Sequence, residues 1–443
     1  MAVKIIGGGL AGSQAALVTA KAGIETILYE MRPDVQTGAH KTGNFAEIVC
    51  SNSLGSKELS VASGLLKEEL RVLGSDLIKI ADECKVGAGG ALAVDRELFS
   101  AKINSLIEHN PKIKIVRQEI NEIPDDSPCI IASGPLTSQK LAEKIKDFTQ
   151  EENLHFYDAI APIIEKDSIN FEKAFYANRY DKGDADYINC PMNKEQYEKF
   201  YDFLISAPTI ELKNFEKDSK SAKFFESCLP VEVIAKRGAD TLRFGPLKPV
   251  GLVDKRTNEK NYAVVQLRQD DMAANLYNLV GFQTNIKWGA QKELIQLIPG
   301  LENANIVRYG VMHRNTYIFS PKILYPTLQT KKRPDLFFAG QITGVEGYSE
   351  SIATGFLAGI NMARFIKGEK LLQLSPDTML GALCNYITFE EHQKLNPINS
   401  NWGILPPLEV EKKYRKNKKY KAELYVQKSI AFLNNLIKEN ILW

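Results

Sequence analysis

VKIIGGGLAGSQAALVTAKAGIETILYE, Val3 to Glu30, sets how the rest of the chain is read. Val3 to Ile6 reads as a short buried strand. Gly7-Gly8-Gly9-Leu10-Ala11-Gly12 follows, with the spacing Gly-x-Gly-x-x-Gly. SQAALVTAKAG is helical and stops at Gly23, and IETILYE is a second strand ending in Glu30. Gly7 permits the tight turn from strand to helix, Gly9 lets the backbone approach a pyrophosphate, and Gly12 lets the helix pack closely on the strand. The helix start offers free N–H groups and a positive dipole end to phosphate. Glu30, eighteen residues past Gly12, is placed to accept bonds from ribose hydroxyls. A glycine turn alone can be purely structural. Strand, glycines, helix, strand and terminal acid together predict dinucleotide binding, with Arg32 beside Glu30 in the same cofactor-binding set.

A late stretch extends that reading. DLFFAGQITGVEGYSESIATGFLAGINMAR, Asp335 to Arg364, reads as a strand over Leu336 to Ala339, a glycine loop and a small-residue helix. The loop contributes Gly340, Gly344, Glu346 and Gly347 to the cofactor-binding set. A chain that returns late to set a helix start near a flavin favours FAD over NAD, as does Glu rather than Asp at position 30. CIIASGP, Cys129 to Pro135, reads as a central strand of the same sheet. From about residue 150 to 300 the strand–helix rhythm fades. The expected fold is α/β: a Rossmann-like, glutathione-reductase-like FAD-binding domain with an inserted α/β domain. Residues 1–150 form its first part, 151–304 the insertion, and 305–443 its second part with a helical basic C-terminal segment.

Composition bounds the alternatives. A chain of 443 residues, 44% hydrophobic and 25% charged, is that of a soluble globular protein with two domains or one large domain carrying an insertion. A net charge of +2 does not point to nucleic acid, although a local basic patch can hide within it. No apolar run is long enough to span a bilayer, and the N-terminus lacks the features of a signal peptide, so a cytoplasmic protein is expected. The six cysteines are widely spaced, with no Cys-x-x-Cys and no Cys/His pairing, which argues against disulfides and against a metal site.

Nine stretches carry a resemblance: GGGLAGSQAA, FAEIVCSNSLGS, GGALAVDRELFS, FFESCLPVE, GPLKPVGLVD, AVVQLRQDD, GVMHRNTYI, EGYSESIATGFLAGIN and NWGILPPLE. Together they resemble the folate- and FAD-dependent tRNA (uracil-5-)-methyltransferases, the TrmFO family, over essentially the whole chain. The resemblance implies transfer of a one-carbon unit from methylenetetrahydrofolate to C5 of a T-loop uridine of tRNA, forming 5-methyluridine. A flavin reduced by NAD(P)H supplies the electrons. Uracil C5 is a poor nucleophile, and a thiolate added at C6 turns it into an enolate carbon. The C5 proton then leaves to a base, hydride reduces the exocyclic methylene, and the thiol is eliminated.

Cys228, in FFESCLPVE, matches the family's nucleophile, and Cys50, in FAEIVCSNSLGS, its general base beside the flavin. The two roles can be exchanged, and on the residues alone either cysteine would be read as a buried inert thiol. The resemblance also implies that His313 stacks on the pterin and that Arg314 and Asn315 hold polar edges of folate or flavin. Arg96 and Arg268 are contacts to cofactor or RNA, or surface salt bridges. The partner is RNA, with no membrane and no protein partner evident. Two surfaces are candidates for it. KKYRKNKKYK, Lys412 to Lys421, has seven basic residues and two tyrosines in ten, and the other is the segment from Lys194 to Lys199. Two alternatives stand beside this reading: the same chemistry on a 23S rRNA uridine, and a flavin disulfide/NAD(P)H oxidoreductase. The latter needs a close cysteine pair that the sequence lacks.

Overall fold

The structure, a computed structural model, describes residues 2–152, 154–181, 184–210, 229–414, 416–440 and 442. For 156–158, 313, 314 and 412 it describes the backbone alone.

The first strand, Val3–Ile6, lies at the centre of a five-stranded parallel sheet. Thr26–Glu30 and then Ile113–Arg117 pair on one side, and Cys129–Ile131 and then Leu336–Phe338 on the other. Apart from Lys4, Thr26 and Glu30, the three inner strands are built from apolar and aromatic residues, because both faces of the sheet are covered. Ile5, Ile130 and Phe337 face the helices Leu10–Lys21 and Tyr348–Lys367. Ile6, Ile131 and Phe338 face Leu141 and Ile145 of the helix Gln139–Thr149.

Small residues set the close packing of the two central helices. A Cβ at Gly355 would come within 2.2 Å of the Ala11 carbonyl oxygen, and one at Gly359 within 2.8 Å of Val18. The helix Ala62–Leu73 carries the apolar face on which the C-terminal helix, Lys418–Lys438, packs. Glu69 sits between them, fully buried, and accepts from Ser429 Oγ at 2.5 Å and from the backbone N–H groups of Met379 and Leu380 at 2.5 and 2.9 Å.

A second sheet is antiparallel and six-stranded, in the order Phe175–Tyr176, Tyr187–Met192, Ala263–Gln269, Leu276–Leu279, Ile163–Glu165, Ile306–Arg308. The helices Lys194–Ser206 and Trp288–Gln296 complete its core through Phe200 and Leu294. A ribbon of Leu154–Ala159 paired with Met312–Tyr317 lies at the point where the chain enters and leaves this sheet. Among the described residues no helix is long and apolar enough to cross a membrane.

Candidate functional site

The carboxyl ends of the parallel strands open onto a cleft, where open sheets of this kind bind ligands. Gly7, Gly9, Leu10, Ala11, Glu30, Arg32 and Gly340 line it. Gly12 stands behind it, where a Cβ would lie 1.8 Å from the Gly7 carbonyl oxygen. A Cβ at Gly9 would have nothing within 4 Å, so the backbone there is bare toward the cleft. Gly344, Glu346 and Gly347 continue the loop from Gly340 into the helix Tyr348–Lys367 but do not line the cleft. Glu346 is buried and accepts from Gln341 Nε2 at 2.5 Å.

Glu30 is held rigidly. Its Oε2 accepts from the Gly8 N–H at 2.8 Å, and its Oε1 accepts from Arg32 N and Nε at 3.0 and 2.9 Å. Arg32, only 2% exposed, donates in turn to Glu47 Oε2 at 3.0 Å. Burial pushes the Glu30 carboxyl up, but the Arg32 guanidinium and the Gly8 N–H outweigh it and hold the group below its usual value. Three donors leave lone-pair capacity for a hydroxyl from a ligand. The cleft also holds the Ser138 hydroxyl, buried and without a hydrogen-bond partner among the described residues. Bare backbone, helix start, fixed carboxylate and orphan hydroxyl fit a dinucleotide.

Cys50 stands at the edge of this cleft. It is half-buried, and its neighbour Val49 and its partner Tyr348 both line the cleft. The Cys50 N–H donates to Tyr348 Oη at 2.8 Å, and the Cys50 carbonyl accepts from Arg96 Nη2 at 3.1 Å. Arg308, from the last strand of the antiparallel sheet, is close enough to sense Cys50 and Tyr348 electrostatically. Burial and then Arg96 lower the Arg308 pKa, while Tyr348, Cys50 and Asp270 oppose them.

Arg96 and Arg268 are not surface salt bridges. Arg96 Nε contacts both oxygens of Asp270 at 3.1 and 2.9 Å, and Asp270 is 4% exposed. Arg268 donates to Ser51 Oγ at 2.6 Å and to Asn52 Oδ1 at 3.0 Å. The antiparallel sheet therefore grips the loop that carries Cys50. Asn52 completes the grip by donating to the Gln269 carbonyl at 2.9 Å. Nothing in the sequence singled out Arg308 or Ser138, and Asp270 was marked only by lying in the quoted stretch AVVQLRQDD. Tyr348 lies within a quoted motif, EGYSES, and that was the only signal for it.

The other sequence-derived residues are placed unevenly. Cys228 lies outside the described residues. His313 and Arg314 sit on the strand Met312–Tyr317 of the connecting ribbon, opposite Asp158 and Tyr157. Asn315, on the same strand, is fully buried, and neither amide atom has a hydrogen-bond partner among the described residues. Such a group is costly unless a ligand or water satisfies it. Cys84, Cys129, Cys190 and Cys384 are buried. Burial pushes all four thiols up, Cys129 and Cys384 to about 12, which removes them as nucleophiles near neutral pH.

The two candidate RNA surfaces differ. Lys194 and Lys199 pair with Glu198 and Glu195 at 3.7 and 2.9 Å, so that face is largely neutralised. In the C-terminal run, Tyr414 and Tyr420 pack against each other with centroids 4.4 Å apart, and exposed lysines surround them. No group of three or more metal-ligating side chains occurs among the described residues.

Residues 2–370 match the family described as glucose inhibited division protein A. The chain is 55% identical over 439 residues to methylenetetrahydrofolate--tRNA-(uracil-5-)-methyltransferase TrmFO of Anoxybacillus flavithermus, covering 99% of this chain and 100% of that one. It is 56% identical over 435 residues to the protein of the same name from Bacillus cytotoxicus, covering 98% of each. Aquifex aeolicus GidA in its form I crystal superposes with a TM-score of 0.67 at 18% identity, covering 99% of this chain and 78% of that one, and so shares the fold. With its cleft, its glycine loop and this end-to-end likeness, the chain belongs to the glucose inhibited division protein A family and, within it, to the TrmFO group.

Proposed function

We propose that this protein transfers a one-carbon unit from methylenetetrahydrofolate to C5 of a T-loop uridine of tRNA, with FAD as its cofactor and NADH or NADPH as reductant. One observation carries the reading: a half-buried thiol, Cys50, is hydrogen-bonded through its backbone to Tyr348 on the wall of a dinucleotide cleft. The relatives' printed names support the substrate and the donor.

The bare backbone at Gly9 and the start of the helix Leu10–Lys21 receive the pyrophosphate, and Glu30 receives a ribose hydroxyl. Cys228 adds its sulfur to C6, and the electron pair moves to C5, which attacks the folate methylene. Cys50 accepts the C5 proton as the folate amine departs, leaving an exocyclic methylene. Arg96 holds the Cys50 backbone in place for that step by donating to its carbonyl at 3.1 Å. A flavin held by the backbone at Gly9, the start of the helix Leu10–Lys21 and Glu30 would, when reduced, supply hydride chemistry at this site, and Cys228 leaves C6 as the methylene becomes methyl. The orphan amide of Asn315 offers one donor and one acceptor to a polar heterocycle edge.

The test uses methylenetetrahydrofolate labelled on its one-carbon unit, incubated with the purified protein, NADH or NADPH, and separate pools of unmodified tRNA and 23S rRNA. Label in tRNA 5-methyluridine is the expected result. Label only in rRNA would redirect the substrate, and absence of folate-derived label from both RNA pools would overturn the chemistry.

A further inference from the structure

Phe244 is 81% exposed, more than any other large apolar side chain among the described residues. It ends the short helix Thr241–Phe244, and its neighbours hold it there. The Arg243 guanidinium lies 3.5 Å above the Tyr262 ring, donates to the Tyr262 carbonyl at 3.0 Å and pairs with Asp240 at 2.6 Å. The ring is thus presented outward from a pinned backbone. It borders a shallow groove with Leu229, Ile234, Arg237, Thr241 and Pro246. Leu229 is the residue after Cys228 in the chain. Residues 236–248 hold Lys236, Arg237, Arg243 and Lys248 against the single acid Asp240, a net charge of +3.

An isolated exposed leucine needs no explanation. A fixed aromatic ring on a cationic surface has the chemistry of a single-stranded nucleic-acid platform, in which a base stacks on the ring while cations meet the phosphates. We infer that Phe244 is a stacking platform for an unstacked base of the RNA substrate, with Lys236 and Lys248 meeting the flanking phosphates. The inference rests on the RNA-methylation reading above. Phe244 is a positioning residue in this scheme: it presents the strand to the thiols and takes no part in bond making. The excess of cations favours RNA over an apolar protein partner, for which charge would be depleted at the centre of the patch.

The test measures tRNA binding by fluorescence anisotropy over a series of salt concentrations, for the full chain and for Phe244→Tyr, Phe244→Leu and Phe244→Ala. Reduction of the bound flavin by NADPH without RNA serves as the folding control. Phe244→Tyr is expected to bind as the unaltered chain does. Leu and Ala are expected to weaken binding about tenfold or more with an unchanged salt slope, because the phosphate contacts remain. Lys236→Gln and Lys248→Gln are expected to lower the salt slope. Leucine binding RNA as well as phenylalanine would overturn the inference, and so would a loss of self-association in Phe244→Ala without a loss of RNA binding. Failure of the unaltered chain to bind or methylate RNA would instead overturn the underlying functional reading.

Discussion

Tyr348 Oη accepts a hydrogen bond from the backbone N–H of Cys50 at 2.8 Å, joining positions 298 residues apart. The tyrosine opens the helix that returns to the glycine loop, and the cysteine lies on the loop gripped by the antiparallel sheet. One bond therefore couples the cofactor cleft to the thiol.

Tyr348→Phe removes the acceptor and leaves the Cys50 N–H without it. An unpaired backbone donor costs about 1–3 kcal/mol. Methylation is expected to fall about tenfold or more while tRNA affinity and flavin content stay near those of the unaltered chain. Single-turnover methylation with labelled folate measures this, and an unchanged rate would refute the coupling.

Gly9 and Gly12 give opposite expectations for the same substitution. Gly12→Ala forces a Cβ to 1.8 Å from the Gly7 carbonyl oxygen, so the turn must distort and the protein should lose stability and cofactor together. Gly9→Ala meets no protein atom within 4 Å and should fold normally, but it fills the space a pyrophosphate approaches. The Gly9 variant should purify with little or no bound flavin and an unfolding midpoint close to that of the flavin-stripped parent.

Arg96→Ala leaves Asp270, 4% exposed, without its guanidinium. Breaking a buried pair on one side costs about 3–5 kcal/mol. The urea midpoint should fall accordingly. The double variant Arg96→Ala with Asp270→Asn should recover part of the loss, because no buried charge is then stranded.

Glu69 gives a pH dependence with a defined sign. Burial pushes its carboxyl up to about 7, against the hydrogen bonds from Ser429, Met379 and Leu380. An unfolded glutamate titrates near 4.5. Between those values the folded chain holds a proton that the unfolded chain has released, so this contribution to stability falls as pH rises through the window. The fall amounts to about 3 kcal/mol. Urea unfolding at pH 5, 6 and 7 should show it, and Glu69→Gln should flatten the slope.

The nucleotide end was legible at the level of single residues. The strand over Val3–Ile6, the helix after the glycines, the strand closing at Glu30 and the late strand at Leu336 all lie where their apolar runs put them. On the residues alone Cys50 read as a buried inert thiol and only the resemblance put it beside a flavin; its half-buried position at the cleft edge came from the fold. Arg96 and Arg268 were read as contacts to a ligand or as surface ion pairs, because a charged residue at a helix start or in a strand gives no sign of what faces it. Both are in fact joined to other parts of the protein.

What the sequence determined by itself is local: turn chemistry, strand and helix period, and a carboxylate eighteen positions after the third glycine. These follow from backbone sterics and from spacing within one short unit. The tertiary structure alone decided which distant residues meet. Arg268 with Ser51 spans 217 positions, and Arg96 with Asp270 spans 174. Such pairs depend on how two separately cored sheets seat against each other. That seating is a property of packed surfaces, and no single stretch of chain encodes it.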